Sequence, residues 1–141
     1  LAAAIDRSGL ASWIGTAMTA GAGLPVIVIV LLITVVVIFL TEITSNTATA
    51  AVFLPLVAAF AVSIGAAPVT LMAPVALAAS CAFMMPVATP PNAIVFASGA
   101  VTIPHMARAG LLLNLAAIFL IVFAAYSLVP LVFGSVVPGR T

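Results

Sequence analysis

Long apolar runs alternate with short polar interruptions along this chain, and the spacing of the interruptions carries most of the signal. Uncharged apolar runs extend from Leu24 to Leu40, from Ala48 to Val62 and from Leu111 to Phe133. A fourth starts at Leu71, reaches Ala88, meets Thr89, Pro90, Pro91 and Asn92, and continues through Val101. In water, runs dense in Val and Ile would suggest buried strands. In lipid a single spanning segment must satisfy its own backbone, so each run is read as a helix. A full crossing takes about 20 apolar residues. The last run is long enough, and the first two are short.

This pattern predicts four units. Residues 1–20 mix Asp6, Arg7, Ser8, Gly9 and Trp13 with apolar positions, which suits an interfacial connecting helix with Trp13 at headgroup depth. Residues 21–62 predict a re-entrant helical hairpin, opened by Pro25 and with its tip at 44–47. Two ordinary crossings joined by a surface loop are the alternative. Residues 63–101 predict a discontinuous transmembrane helix broken at 89–92, because Pro90 and Pro91 remove two amide donors and crowd the preceding turn. A simple proline kink is the alternative there. Residues 102–141 read as a cytoplasmic loop carrying Pro104, His105 and Arg108, then a last transmembrane helix and a tail. The fold class is all-α integral membrane.

Composition strengthens this reading. Of 141 residues, 67% are hydrophobic and 4% charged, against about 25% charged in a soluble domain. The mean hydropathy is +1.54. A net charge of +1 argues against nucleic acid as a partner, since that needs a basic patch. The single Cys81 forms no intrachain disulfide or zinc cluster and is read as a small buried hydrophobe. The opening "LAAAIDRSGL" has no initiator Met or basic leader, so the chain is expected to be a piece whose N-terminal part is missing.

Thr44, Ser45, Asn46, Thr47 and Thr49 form a polar knot between two of the most apolar stretches. A helix N-terminus offers free amides and partial positive charge to an anion. A helix C-terminus offers carbonyl oxygens, which suit a hard cation. Hydroxyl and amide side chains complete both shells without a permanent charge. Paired helix interruptions of this kind point to a transporter binding site: the knot replaces solvent for a ligand.

"TEITSNTATA" and "SCAFMMPVATPPNAIVFASG" resemble the second Ser-Asn-Thr motif and the downstream signature of the divalent anion/sodium symporters, the dicarboxylate, citrate and sulfate carriers. Ser80, Phe83, Pro86, Asn92 and Val95 keep the signature spacing. The resemblance implies an inverted-repeat secondary transporter of which this chain is the second repeat. It also implies a homodimer with an elevator-like transport domain, in the inner or plasma membrane. It assigns co-transported Na⁺ to Thr41, Asn46 and backbone carbonyls near Thr44 and Ala88. It assigns the substrate carboxylate to Ser45, Asn46, Thr47, Thr89 and Pro90. The implied substrate is a small divalent anion, with C4-dicarboxylates such as succinate placed first. The first sodium site would lie in the missing N-terminal half.

Other residues have plainer readings. Glu42, the one acid in the membrane zone, is a candidate to tune the cation site, carry a proton, cap the hairpin helix or pair with a base in the missing half. Met72, Phe83, Met84 and Met85 are read as packing, and Gly99 and Ala100 as a close helix approach. Competing functions are a sodium-independent exchanger or a sulfate transporter of the same fold, and a non-transporting scaffold. An intramembrane hydrolase would need Ser45 or Ser98 within about 3 Å of a base, and His105 is the single histidine.

Overall fold

The computed structural model describes residues 23–132, and every regular element within them is an α-helix. The expected interfacial helix with Trp13 and the tail lie outside the described residues. Helix α1 spans Val26–Thr41, α2 Asn46–Ser63, α3 Pro68–Ala78, α4 Pro90–Ala97 and α5 Ile103–Val132.

Local chemistry explains most of the boundaries. Pro25 precedes α1 with φ −56°. The turn after α2 ends on Gly65 at φ +70°. There the Ala66 amide reaches the Ala61 carbonyl and the Gly65 amide the Val62 carbonyl. That paired pattern is a Schellman cap, which needs a left-handed residue at this position. Pro68 then starts α3 at a position whose amide would be free in any case.

Packing follows from these lengths. Ile29, Val30, Val37 and Ile38 of α1 join Val57, Phe60 and Ala61 of α2 in one core. Leu71, Val75 and Ala78 of α3 and Ile118, Ile121 and Ala125 of α5 complete it. The opposite faces are equally apolar: Val36 on α1 is 53% exposed and Phe119 on α5 70%. Helices apolar on every side suit lipid or a protein interior. Helix α2 and residues Ile103–Val129 of α5 are long and apolar enough to cross a membrane.

Three sequence expectations need correction. The hairpin tip is Glu42–Ser45 rather than 44–47, because Ser45 takes an extended N-cap conformation and Asn46 and Thr47 already belong to α2. The interruption expected at 89–92 lies at 79–89, since α3 ends at Ala78 and Pro90 and Pro91 begin α4. Proline lacks a donor and holds φ near −65°, so it is suited to a helix's first turn. Here the prolines restart the helix rather than break it. Finally, the stretch read as a polar loop at 102–110 is helical from Ile103 onward. Pro104 sits in that first turn, where it is tolerated, and the Thr102 hydroxyl pairs with His105 Nδ1 at 3.0 Å.

Candidate ion and substrate site

Three helix ends meet at the tip of the hairpin. Thr41, the last residue of α1, is fully buried. Its hydroxyl lies 2.7 Å from Asn46 Oδ1 at the start of α2. It also lies 3.0 Å from the carbonyl of Ala79, the C-cap of α3. A threonine hydroxyl has one proton, so it satisfies one of these acceptors at a time. The cluster therefore holds more oxygen than hydrogen. The C-termini of α1 and α3 both direct partial negative charge toward this end, and the Ala79 carbonyl beyond α3 is met by the Thr41 hydroxyl. Such an arrangement suits a small hard cation.

Thr44 faces elsewhere. Its hydroxyl lies 2.8 Å from the Leu40 carbonyl and 2.6 Å from the Thr49 hydroxyl. If Thr44 gives its proton to Leu40, Thr49 must be the donor in the second bond. This pair ties the tip back onto both arms.

Glu42 is buried, at 4% exposure, and reaches across to the interrupted segment. Its Oε1 accepts from the backbone amides of Phe83 at 2.7 Å and Met84 at 2.9 Å. Its Oε2 accepts from Met84 and Met85, each at 3.0 Å. Asn114 of α5 adds its side-chain amide to Oε1 at 2.7 Å. Successive backbone amides converging on one anion form a nest. Asn92 holds the same segment from its other side, donating Nδ2 to the carbonyls of Ala82 at 2.9 Å and Met85 at 3.0 Å. Helix α5 comes close at Gly110, where an added Cβ would collide with the Phe83 carbonyl and Met84 Cα.

Two helix N-termini complete the polar set. Ser45 caps α2 and accepts weakly from the Ala48 amide at 3.5 Å. Thr89 caps α4 and accepts from the Asn92 amide at 3.3 Å. Ser45, Thr47 and Pro90 are exposed; Asn46, Ala88 and Thr89 are half-buried. First-turn amides have no acceptor within their own helix, so the start of α2 can receive a carboxylate. Helix α4 begins with Pro90 and Pro91, which have no amide hydrogen, and its Asn92 and Ala93 amides already go to Thr89. That end offers only its dipole and the Thr89 hydroxyl.

Of the sequence-derived candidates, the described hydrogen bonds join Thr41 to Asn46. Thr44 pairs with Leu40 and Thr49, and Thr89 with Asn92. Among the described residues no hydrogen bond links Ser45, Asn46 or Thr47 to Thr89 or Pro90. Sequence reasoning missed Ala79, Asn114 and the amides of residues 83–85. Backbone groups carry no sequence signal, and Asn114 is the one amide side chain in the Leu111–Phe133 run. That last feature was the one available clue. Phe83, Met84 and Met85, expected to pack, also contribute their main chain. Gly99, expected at a close helix approach, instead ends α4 at φ +74° with open space around it, and Gly110 makes the close contact. The serines considered for hydrolysis bond to backbone, Ser98 to Val95 and Ser45 to Ala48, while His105 pairs with Thr102.

Residues 1–134 match the family model for the sodium:sulfate symporter transmembrane region. The chain is 52% identical over 134 residues to the sodium-dependent dicarboxylate transporter SdcS of Staphylococcus saprophyticus subsp. saprophyticus, covering 95% of this chain and 26% of that protein. It is 49% identical over 134 residues to SdcS of Staphylococcus aureus strain MRSA252, with the same 95% and 26% coverage. The chain thus spans about a quarter of the length of these curated relatives.

Proposed function

This chain belongs to the sodium:sulfate symporter transmembrane family, whose members reside in membranes, and on that premise we propose that it is part of the second repeat of a sodium-coupled symporter for small divalent anions. C4-dicarboxylates such as succinate are the foremost substrates, and the names of both relatives support that class. In this reading α1 and α2 form a re-entrant hairpin. The full-length protein is a homodimer with an elevator-like transport domain, and its N-terminal half supplies the other sodium site.

The observation that carries the proposal is the oxygen cluster of Thr41, Asn46 and Ala79, with one hydroxyl proton between two acceptors. Sodium would displace that shared hydrogen bond and take oxygen from Thr41, Asn46 and main-chain carbonyls, including those near Thr44 and Ala88. Asn46 would turn its amide to the substrate. Ser45, Thr47, Thr89 and Pro90 would line the carboxylate site, with the first-turn amides of α2 and the positive dipole ends of α2 and α4 favouring an anion. Because Asn46 serves both ligands, binding of one strengthens binding of the other.

The test is uptake of radiolabelled succinate and sulfate by the full-length protein in proteoliposomes, with sodium against choline. Sodium-dependent succinate uptake supports the reading. Uptake indifferent to sodium would favour the exchanger, and no uptake of either anion would favour a scaffold.

A further inference from the structure

Glu42 is buried, ionisable and absent from the proposed ligand sets. All five hydrogen bonds to its carboxylate come from donors: the amides of Phe83, Met84 (to both oxygens) and Met85, and the Asn114 side chain. A carboxylate accepts at about four lone-pair positions, and these are already filled. A cation would have to displace amides, and a proton on either oxygen would point at an N–H. The geometry is therefore that of neither an ion ligand nor a proton carrier.

The carboxylate does connect the hairpin tip to the segment that supplies the Ala79 carbonyl. Glu42 directly follows Thr41, whose hydroxyl meets the Ala79 carbonyl at one end of the interrupted segment. The amides of 83–85 lie a few residues further along that same segment. Helix α5 supports the contact with two residues one turn apart: Gly110, which lets the Phe83 carbonyl pass, and Asn114, which binds Oε1.

We propose that Glu42 is a positioning residue that latches segment 79–89 to the hairpin tip and thereby sets sodium affinity without touching the ion. The inference rests on the symporter reading for its transport readout, but the latch itself can be tested apart from transport. Replacement by glutamine shows why the charge matters. An amide nitrogen at the Oε1 position would face the Phe83 and Met84 amides and Asn114. At the Oε2 position it would face Met84 and Met85. Either orientation sets donor against donor.

Cys81 lies in the segment and is half-buried, with its thiol 3.3 Å from the Leu77 carbonyl, so its alkylation reports on how firmly the segment is held. The experiment uses the full-length protein in proteoliposomes. It measures the sodium concentration for half-maximal succinate uptake. In sodium-free buffer it measures alkylation of Cys81 by mass spectrometry of its peptide. For Glu42→Gln the expected half-saturating sodium rises about tenfold or more, the size expected for a lost bond to a charged group. Cys81 alkylation accelerates several-fold, and Glu42→Asp recovers part of both. Asn46→Ala also weakens sodium dependence but does not accelerate sodium-free alkylation, because it leaves the Glu42 contacts intact and frees the Thr41 hydroxyl for the Ala79 carbonyl.

Wild-type sodium response and alkylation in Glu42→Gln would overturn the proposal. So would lost uptake with unchanged alkylation, which would make Glu42 a ligand or proton carrier. If Glu42→Gln fails to reach the membrane, Asn114→Ala removes one donor from the same contact. It should shift both readouts in the same direction by a smaller factor, and wild-type values for it would also overturn the latch. If the wild-type protein shows no sodium-dependent uptake, the symporter reading falls, while the alkylation comparison still decides the latch.

Discussion

Asn114, within the long last helix, donates its side-chain amide to the Glu42 carboxylate at 2.7 Å across 72 positions of sequence. Both residues are buried, and the Asn114 Oδ1 has no partner among the described residues. One side of the amide is therefore committed to an anion while the other is unpaired. The contact ties α5 to the hairpin tip through a charged acceptor.

That relationship predicts an order of stability. Asn114→Ala removes a hydrogen bond to a charged group, worth about 1.5–3 kcal/mol, and also removes the unpaired Oδ1, which offsets part of the loss. Asn114→Asp instead sets a second carboxylate against Glu42 in a buried site, where like charges repel strongly. Thermal unfolding in detergent should rank wild type above Asn114→Ala, and Asn114→Ala above Asn114→Asp. Equal melting of the two variants would contradict the contact.

Two glycines should respond differently to alanine. At Gly110 the added methyl meets the main chain of Phe83 and Met84, which cannot rotate away as a side chain would. Overpacking of this kind costs about 1–3 kcal/mol, more than the gain of up to about 1 kcal/mol in helix propensity. Gly99→Ala meets open space but keeps φ +74°, so its cost is backbone strain of about 1–2 kcal/mol. Cys81 alkylation should therefore accelerate in Gly110→Ala and stay unchanged in Gly99→Ala.

Asn46→Ala in the full-length protein should reduce uptake about ten- to a hundredfold and blunt its sodium dependence, with membrane expression intact. One lost contact to a charged group accounts for about 1.5–3 kcal/mol, and two linked ligands feel it. Thr41→Val keeps the shape of the side chain but removes the hydroxyl between Asn46 and Ala79. It should raise half-saturating sodium while altering maximal uptake far less. Near-normal transport by well-expressed Asn46→Ala would remove that residue from the site.

Because Pro91 lies in the first turn of α4, Pro91→Ala should leave the interruption at 79–89 in place. The new amide at that position needs no helical partner. Succinate uptake should stay within a fewfold of wild type, and stability should change by less than about 1 kcal/mol. A large transport loss would restore the prolines as the cause of the break.

The sequence alone determined the solvent and the parts. Apolar runs with 4% charge require lipid or protein around them, and the polar knot at Thr44–Thr49 marks a place where helices end. Those are local properties, written in hydropathy and in capping residues such as Ser45 and Thr89. Where the second interruption lies was decided by the folded chain. Thr89, Pro90 and Pro91 are strong punctuation, but punctuation that stops one helix also starts another, and only the position of α3 against α1 shows which applies. The role of Glu42 was likewise hidden. Its partners are main-chain amides 41 to 43 positions away and one asparagine at 72. Every residue but proline carries such an amide, so no side-chain pattern distinguishes the three that converge here. Tertiary packing, with Gly110 bringing α5 against the segment and Asn92 holding its far side, selects them.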